Sequence, residues 1–247
     1  MDRRLKGRTA VVTGASSGIG GAIARRFASE GARVALVARR RERLTDLESE
    51  LRAQGGDVHA VVGDVRDRDS LRDVAQAVRS TCGRVDCLVN NAGVMLLSYF
   101  EKAPAEESRT MMETNLMGPV EATAAFVEQM TDGGGDVVVI SSSAGGRARP
   151  GSALYSATKA GLNAWADGLR QEVADRGVRV IVVKPGAVYS ELTDHISDPQ
   201  LREKSQQTRE RIRALDADDV ARVVAFAVSQ PEHVSMSEVL LRPTQQK

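Results

Sequence analysis

Hydrophobic positions fall into short, nearly continuous runs separated by longer stretches in which apolar residues recur every three or four positions. The runs are "TAVVT" (9–13), "RVALVA" (33–38), "VHAVVG" (58–63), "VDCLVN" (85–90), "DVVVIS" (136–141), "VRVIVVK" (178–184) and "EVLLR" (238–242). Strands that are apolar on both sides are covered on both faces. Between them the spacing predicts helices over 18–29, 41–54, 69–80, 106–129, 155–176 and 218–229. Gly31, Gly83, Gly133 to Gly135 and Gly177 stand where such helices stop. Strand–helix alternation over the whole length predicts an α/β fold, a Rossmann-type, doubly wound parallel sheet of about seven strands. No linker, repeat or low-complexity segment divides residues 1–247, so one domain is expected. One stretch breaks the rhythm. Residues 187–214 are polar and irregular, and are expected to form a substrate loop or a surface excursion.

Composition narrows the function classes. The 247 residues carry a formal charge of +1 and are 42% hydrophobic. That balance gives no case for a nucleic-acid or membrane partner. The segment "MDRRLKGRTAVVTG" has too short an apolar run for a secretion signal, and no stretch approaches the about 20 apolar residues of a membrane span. Cys82 and Cys87 are too few and too close for a disulfide framework, and no Cys/His cluster has metal-ligand spacing. A cytoplasmic protein without a metal is expected.

The first strand runs into glycines, "VVTGASSGIGGAIARRF", with Gly14, Gly18 and Gly20 in a G-x-x-x-G-x-G spacing. A strand–glycine–helix turn gathers backbone N–H groups and the positive end of a helix dipole at one point, which suits a pyrophosphate. Ser16, Ser17 and Ile19 belong to that turn. The second strand ends "VARRRERL". An NAD site commonly has a carboxylate there for the ribose 2′-hydroxyl. Here Arg39 and Arg40 follow instead, and an arginine can fork onto a 2′-phosphate. NADP(H) is therefore the expected cofactor, although Arg40 also fits the charged start of a helix. Asp64, followed by Val65, either accepts from an adenine amino group or caps a turn. Tyr155 and Lys159 in "ALYSATKAG" share a helix face, a spacing that by itself decides nothing.

"TGASSGIG" (13–20), "NNAG" (90–93), Asn115, Ser142, "YSATK" (155–159) and "PG" (185–186) occur in the order of the short-chain dehydrogenase/reductases, which the chain resembles over nearly its whole length. The resemblance implies a nicotinamide cofactor and a homo-oligomer, a tetramer or else a dimer. It implies Tyr155 as general acid/base and Lys159 as the group that contacts the nicotinamide ribose and lowers the tyrosine pKa. It implies Ser142 as the hydroxyl that polarises the substrate oxygen, and Asn115 as the holder of a relay water. Asn91, Ala92, Gly93, Pro185, Gly186, Val188 and Ser190 join the cofactor site on the same ground, with Ser190 where many members have threonine. Ser17 stands where many NADP-preferring members are basic. The run "EVLLRPTQQ" and "ELTDHISD" resemble the branch of clavulanic acid dehydrogenase and the 3-hydroxy acid dehydrogenases. The implied activity is reduction of a small ketone or aldehyde, or the reverse. The alternatives are an epimerase or dehydratase, or a cofactor sensor. Met95, Leu96 and Leu97 are a candidate apolar pocket wall, equally at home in loop packing, whereas Arg147, Arg149 and His195 are candidate pocket residues whose default place is solvent.

Overall fold

The computed structural model describes residues 4–130 and 133–246; residues 1–3 of the basic leader lie outside them. Seven parallel strands form one sheet: β1 (Thr9–Thr13), β2 (Arg33–Ala38), β3 (Asp57–Val62), β4 (Cys87–Asn90), β5 (Gly135–Ile140), β6 (Val178–Pro185) and β7 (Glu238–Leu241). Their order is β3-β2-β1-β4-β5-β6-β7. Each predicted run becomes a strand, with ends shifted by at most two residues.

Helices cover both faces, which is why the strands are apolar on both sides. On one face α1 (Gly18–Ser29), α2 (Arg41–Ala53) and α8 (Ala217–Val228) bury Ile23, Phe27, Leu44, Leu51 and Val224 against Val12, Leu36 and Ile181. On the other, α3 (Arg68–Cys82), α5 (Gly118–Met130) and α6 (Ala153–Val173) bury Val78, Phe126, Met130 and Leu162 against Val11, Leu88 and Val137.

Two elements differ from the expectation. The helix predicted over 106–129 is interrupted. It runs as α4 (Ala105–Met112), a π-helical turn (Glu113–Met117) and then α5. Pro119 and the buried Gly118 follow that turn, and a Cβ on Gly118 would stand 2.9 Å from Val65 Cγ2. The tight approach to Val65 accompanies the change of winding. The second difference lies in the stretch expected to be irregular. Residues Pro199–Arg211 form a helix, α7. Its charged sequence hides the period, but its start was marked. Asp198 caps it by accepting from Gln200 N (2.9 Å) and Leu201 N (3.1 Å), and Pro199 opens it.

The chain folds outward in both directions from β1, so the crevice beside its C-terminal end is the topological switch point, where such sheets place ligands.

Candidate active site

The ends of β1 and β4 are stitched together. Thr13 Oγ1 accepts from Asn91 N (3.0 Å) and Ala92 N (3.1 Å), and Asn91 Nδ2 donates to Thr13 O (3.0 Å). Thr13 went unmarked in the sequence, although its place just before the glycines was a signal. The stitching explains two glycines. Gly14 has φ +66°, and a Cβ there would stand 2.9 Å from Ala92 Cα. A Cβ on Gly20 would collide with Asn91 Nδ2 and Gly14 O. Ser17 makes no capping bond to α1, so its side chain satisfies none of the free N–H groups at that helix start. These groups face a cleft of about 740 Å³. Bare glycine backbone, open helix N–H groups and cationic side chains in one cleft fit a dinucleotide pyrophosphate.

Every predicted cofactor residue lines that cleft except Gly20. At the far end of β2, Arg39 stands 3.9 Å from Asp64. Arg40 does more than begin a helix. Its Nη2 donates to Ser16 Oγ (2.9 Å) and Ser17 Oγ (2.8 Å), directly over the glycine turn. Asp64 acts as the turn cap: Oδ1 accepts from Arg66 N (3.0 Å) and Oδ2 from Arg66 Nη2 (2.8 Å). It closes the turn before α3 by bonds within its own segment.

At the opposite end of the cleft, Ser141 and Ser142 follow directly on β5, and α6 presents Tyr155 and Lys159 from its first turns. Ser142 Oγ accepts from Ala144 N (3.1 Å), and its hydroxyl also hydrogen-bonds the Tyr155 phenol. Ser141 points elsewhere, donating to Asn163 Oδ1 (2.6 Å). Tyr155 and Lys159 are both buried. Lys159 Nζ donates to Ile140 O at 3.0 Å. A Cβ on Gly93 would stand 3.8 Å from that Nζ, so the NNAG turn borders the lysine.

The electrostatics differ from the expectation. Burial pushes the Tyr155 phenol above its ordinary value, opposed by the bond to Ser142. Burial also pulls Lys159 down to about 8. Desolvation dominates both groups because no carboxylate is bonded to either. The phenol is held protonated, the state needed to donate a proton.

Asn115 sits in the π turn behind the cleft wall, fully buried. Its Oδ1 accepts from Val94 N and its Nδ2 donates to Val94 O, both at 2.8 Å. The side chain therefore fixes the Gly93–Val94 turn beside the lysine, and the π winding aims it there.

The substrate side is walled by Val94, Met95, Leu97, Arg147, Arg149 and His195, together with α7, which presents Leu201, Lys204, Ser205, Thr208 and Arg209 as one helical stripe. Leu96 lies outside this cleft. Among the described residues no cluster of three or more His, Cys, Asp or Glu could hold a metal, and no helix is long and apolar enough to cross a membrane.

A glycine cradle at the switch point and a Ser–Tyr–Lys set at the other end of the same cleft define a dinucleotide-dependent oxidoreductase. The chain belongs to the short-chain dehydrogenase family, whose model matches residues 8–201. Among curated relatives, glycine betaine reductase ATRR of Emericella nidulans is 40% identical over 240 residues, covering 97% of this chain but 19% of that protein. An uncharacterized oxidoreductase of Staphylococcus saprophyticus is 34% identical over 98% of both chains. Among solved structures, the closed form of a serine dehydrogenase complexed with NADP+ superposes with a TM-score of 0.91 at 32% identity, covering 97% of this chain and 96% of that one.

Proposed function

We propose that the protein is an NADP(H)-dependent oxidoreductase that reduces a ketone or aldehyde of a small molecule to its alcohol, or runs the reverse reaction. The observation that carries this is Ser142 beside the buried Tyr155 and Lys159 in one cleft with Arg39 and Arg40, with no carboxylate in the stretch that ends β2. The NADP+ held by the serine dehydrogenase supports the choice of cofactor.

When bound, the cofactor supplies the hydride. The chain supplies the rest. Ser142 orients the substrate oxygen and meets the charge that develops on it. Tyr155, held as a phenol, gives that oxygen its proton in reduction and takes it back in oxidation. Lys159 keeps a positive charge beside the reacting region. Asn115 holds the turn against which the lysine rests. The branch of clavulanic acid dehydrogenase and the 3-hydroxy acid dehydrogenases is the finer reading, and the likeness to a serine dehydrogenase, an enzyme named for a 3-hydroxy acid, supports it. Exposed Phe100, Met112 and Met117 provide apolar surface for the expected homo-oligomer. The two buried, unbridged cysteines are in keeping with a cytoplasmic site of action.

The cofactor assignment rests on the arginines. Arg39→Ala with Arg40→Ala weakens NADPH binding about tenfold or more and leaves NADH within a few fold, since each charged hydrogen bond contributes about 1.5–3 kcal/mol. Titration of both cofactors checks this; an equal loss for the two would remove the phosphate role.

The lysine gives the pH dependence its sign. Lys159 is charged below about pH 8 and loses that charge above it. Tyr155 is pushed the other way and stays protonated to higher pH. In the reduction direction kcat/KM therefore holds below about pH 8 and falls above it. A profile of kcat/KM that stays level through this range contradicts the assignment.

A further inference from the structure

At its adenosine end the cleft has two walls. One is the glycine turn with the start of α2. The other is the segment after β6. They touch where a Cβ on Gly18 would stand 3.4 Å from Ser190 Cβ. Next to that contact, Glu191 reaches across. Its Oε2 accepts from Arg40 Nη1 at 3.1 Å, and its two oxygens accept from Arg43 Nη1 at 2.6 and 2.8 Å. Arg40 in turn holds Ser16 and Ser17. A continuous polar chain thus joins Ser16 and Ser17, through Arg40 and Glu191, to Arg43.

The core does not depend on these bonds. Arg40 and Glu191 are each 41% exposed, and α2 is anchored by Leu44, Leu47 and Leu51 on its other side. The far end of the crossing segment is also fixed. Ser190 O accepts from Arg209 Nη1 (3.2 Å), and the Tyr189 hydroxyl donates to Arg209 O (3.2 Å). The crossing therefore ties α7, and with it the substrate wall, to the cofactor wall.

We propose that Glu191 is a strap across the cofactor cleft, a positioning residue that slows the departure of a bound nicotinamide dinucleotide with or without a 2′-phosphate. This rests on the dinucleotide reading of the cleft. The opposite arrangement has Glu191 competing with a phosphate for Arg40. Arg43 decides between them. It holds both carboxylate oxygens and does not line the cleft, so Glu191 keeps a partner when Arg40 turns to a phosphate. Two guanidiniums on one carboxylate also leave the local charge positive, which favours an anionic ligand.

An exposed ion pair is weak enough to open thermally, yet sufficient to change a dissociation rate about two- to fivefold. The experiment measures release of NADPH and of NADH by stopped-flow displacement from wild type, Glu191→Gln, Arg43→Gln and the double variant. Circular dichroism confirms that each is folded. Both single variants should release both dinucleotides about two- to fivefold faster. The double variant should be no faster than Glu191→Gln alone, because that change already weakens the links of Glu191 to both Arg43 and Arg40. Added salt should narrow the gap between wild type and Glu191→Gln, and amide exchange over 187–211 should quicken in the bound variant. Unchanged release rates overturn the proposal. Slower release of NADPH alone also overturns it and makes Glu191 a competitor. A wild type that binds neither dinucleotide overturns the cofactor reading itself, and the strap with it.

Discussion

Tyr155→Phe lowers kcat about a hundred- to ten-thousandfold while the protein still binds its dinucleotide. The reason is local. The phenyl ring keeps the buried packing of Tyr155, so the fold and the cleft survive. What is lost is the proton donor and its bond to Ser142. Ser142 can still orient a carbonyl oxygen, so substrate binding changes little and the loss falls on kcat. Steady-state kinetics beside cofactor titration separate these effects. A variant that keeps a tenth or more of wild-type kcat, on the order of what a dispensable acid would leave, contradicts the role of Tyr155.

The second large effect lies at the opposite end of the sheet. Asp136, at the start of β5, has no exposed surface. Its Oδ2 pairs with Arg8 Nη2 at 2.5 Å and its Oδ1 with Arg179 Nε at 2.7 Å. Arg8 also donates to Val228 O, and Arg179 to Val228 O, Gln230 O, Pro231 O and Val234 O. The carboxylate thus joins β1, β5 and β6 to the chain that leaves α8. Asp136→Ala strands two guanidiniums in a partly buried site. Breaking such a network costs about 3–5 kcal/mol, or roughly 6–20 °C in Tm for a chain of this size. Thermal unfolding checks this. The strand carries Asp136 about 20 Å from Ser142, so kcat of the folded fraction should be unchanged. An unaltered Tm shows that the network does not hold the sheet.

These two sites were not equally visible in the sequence. The strands were legible because burial on both faces leaves a continuous apolar run, and the candidate set was legible because the resemblance supplied the company of Tyr155 and Lys159. The Asp136 network was not, since its three members are 43 to 171 residues apart and only the pairing of β1, β4, β5 and β6 brings them together. The helix α7 escaped because its composition follows solvent rather than a core, with Leu201 its only buried residue. Its cap, Asp198–Pro199, was the signal that could have found it. The π turn at Asn115 escaped because its five residues, Glu113–Met117, are too few to show a period of their own inside a long helical pattern. Arg40 looked like the charged start of α2 because a sequence gives no direction to a side chain. The structure turns it onto the glycine turn.

The proposed reaction passes hydride from NADPH to a carbonyl carbon in the cleft lined by Ser142 and Tyr155. The direct measurement is isotopic. Wild-type protein is incubated with C4-deuterated NADPH and a panel of ketones, aldehydes and keto acids, and the products are read by mass spectrometry. The predicted result is an alcohol carrying one deuterium on its carbinol carbon, formed only as NADPH is consumed. Product formed without deuterium and without loss of NADPH contradicts hydride transfer as the reaction.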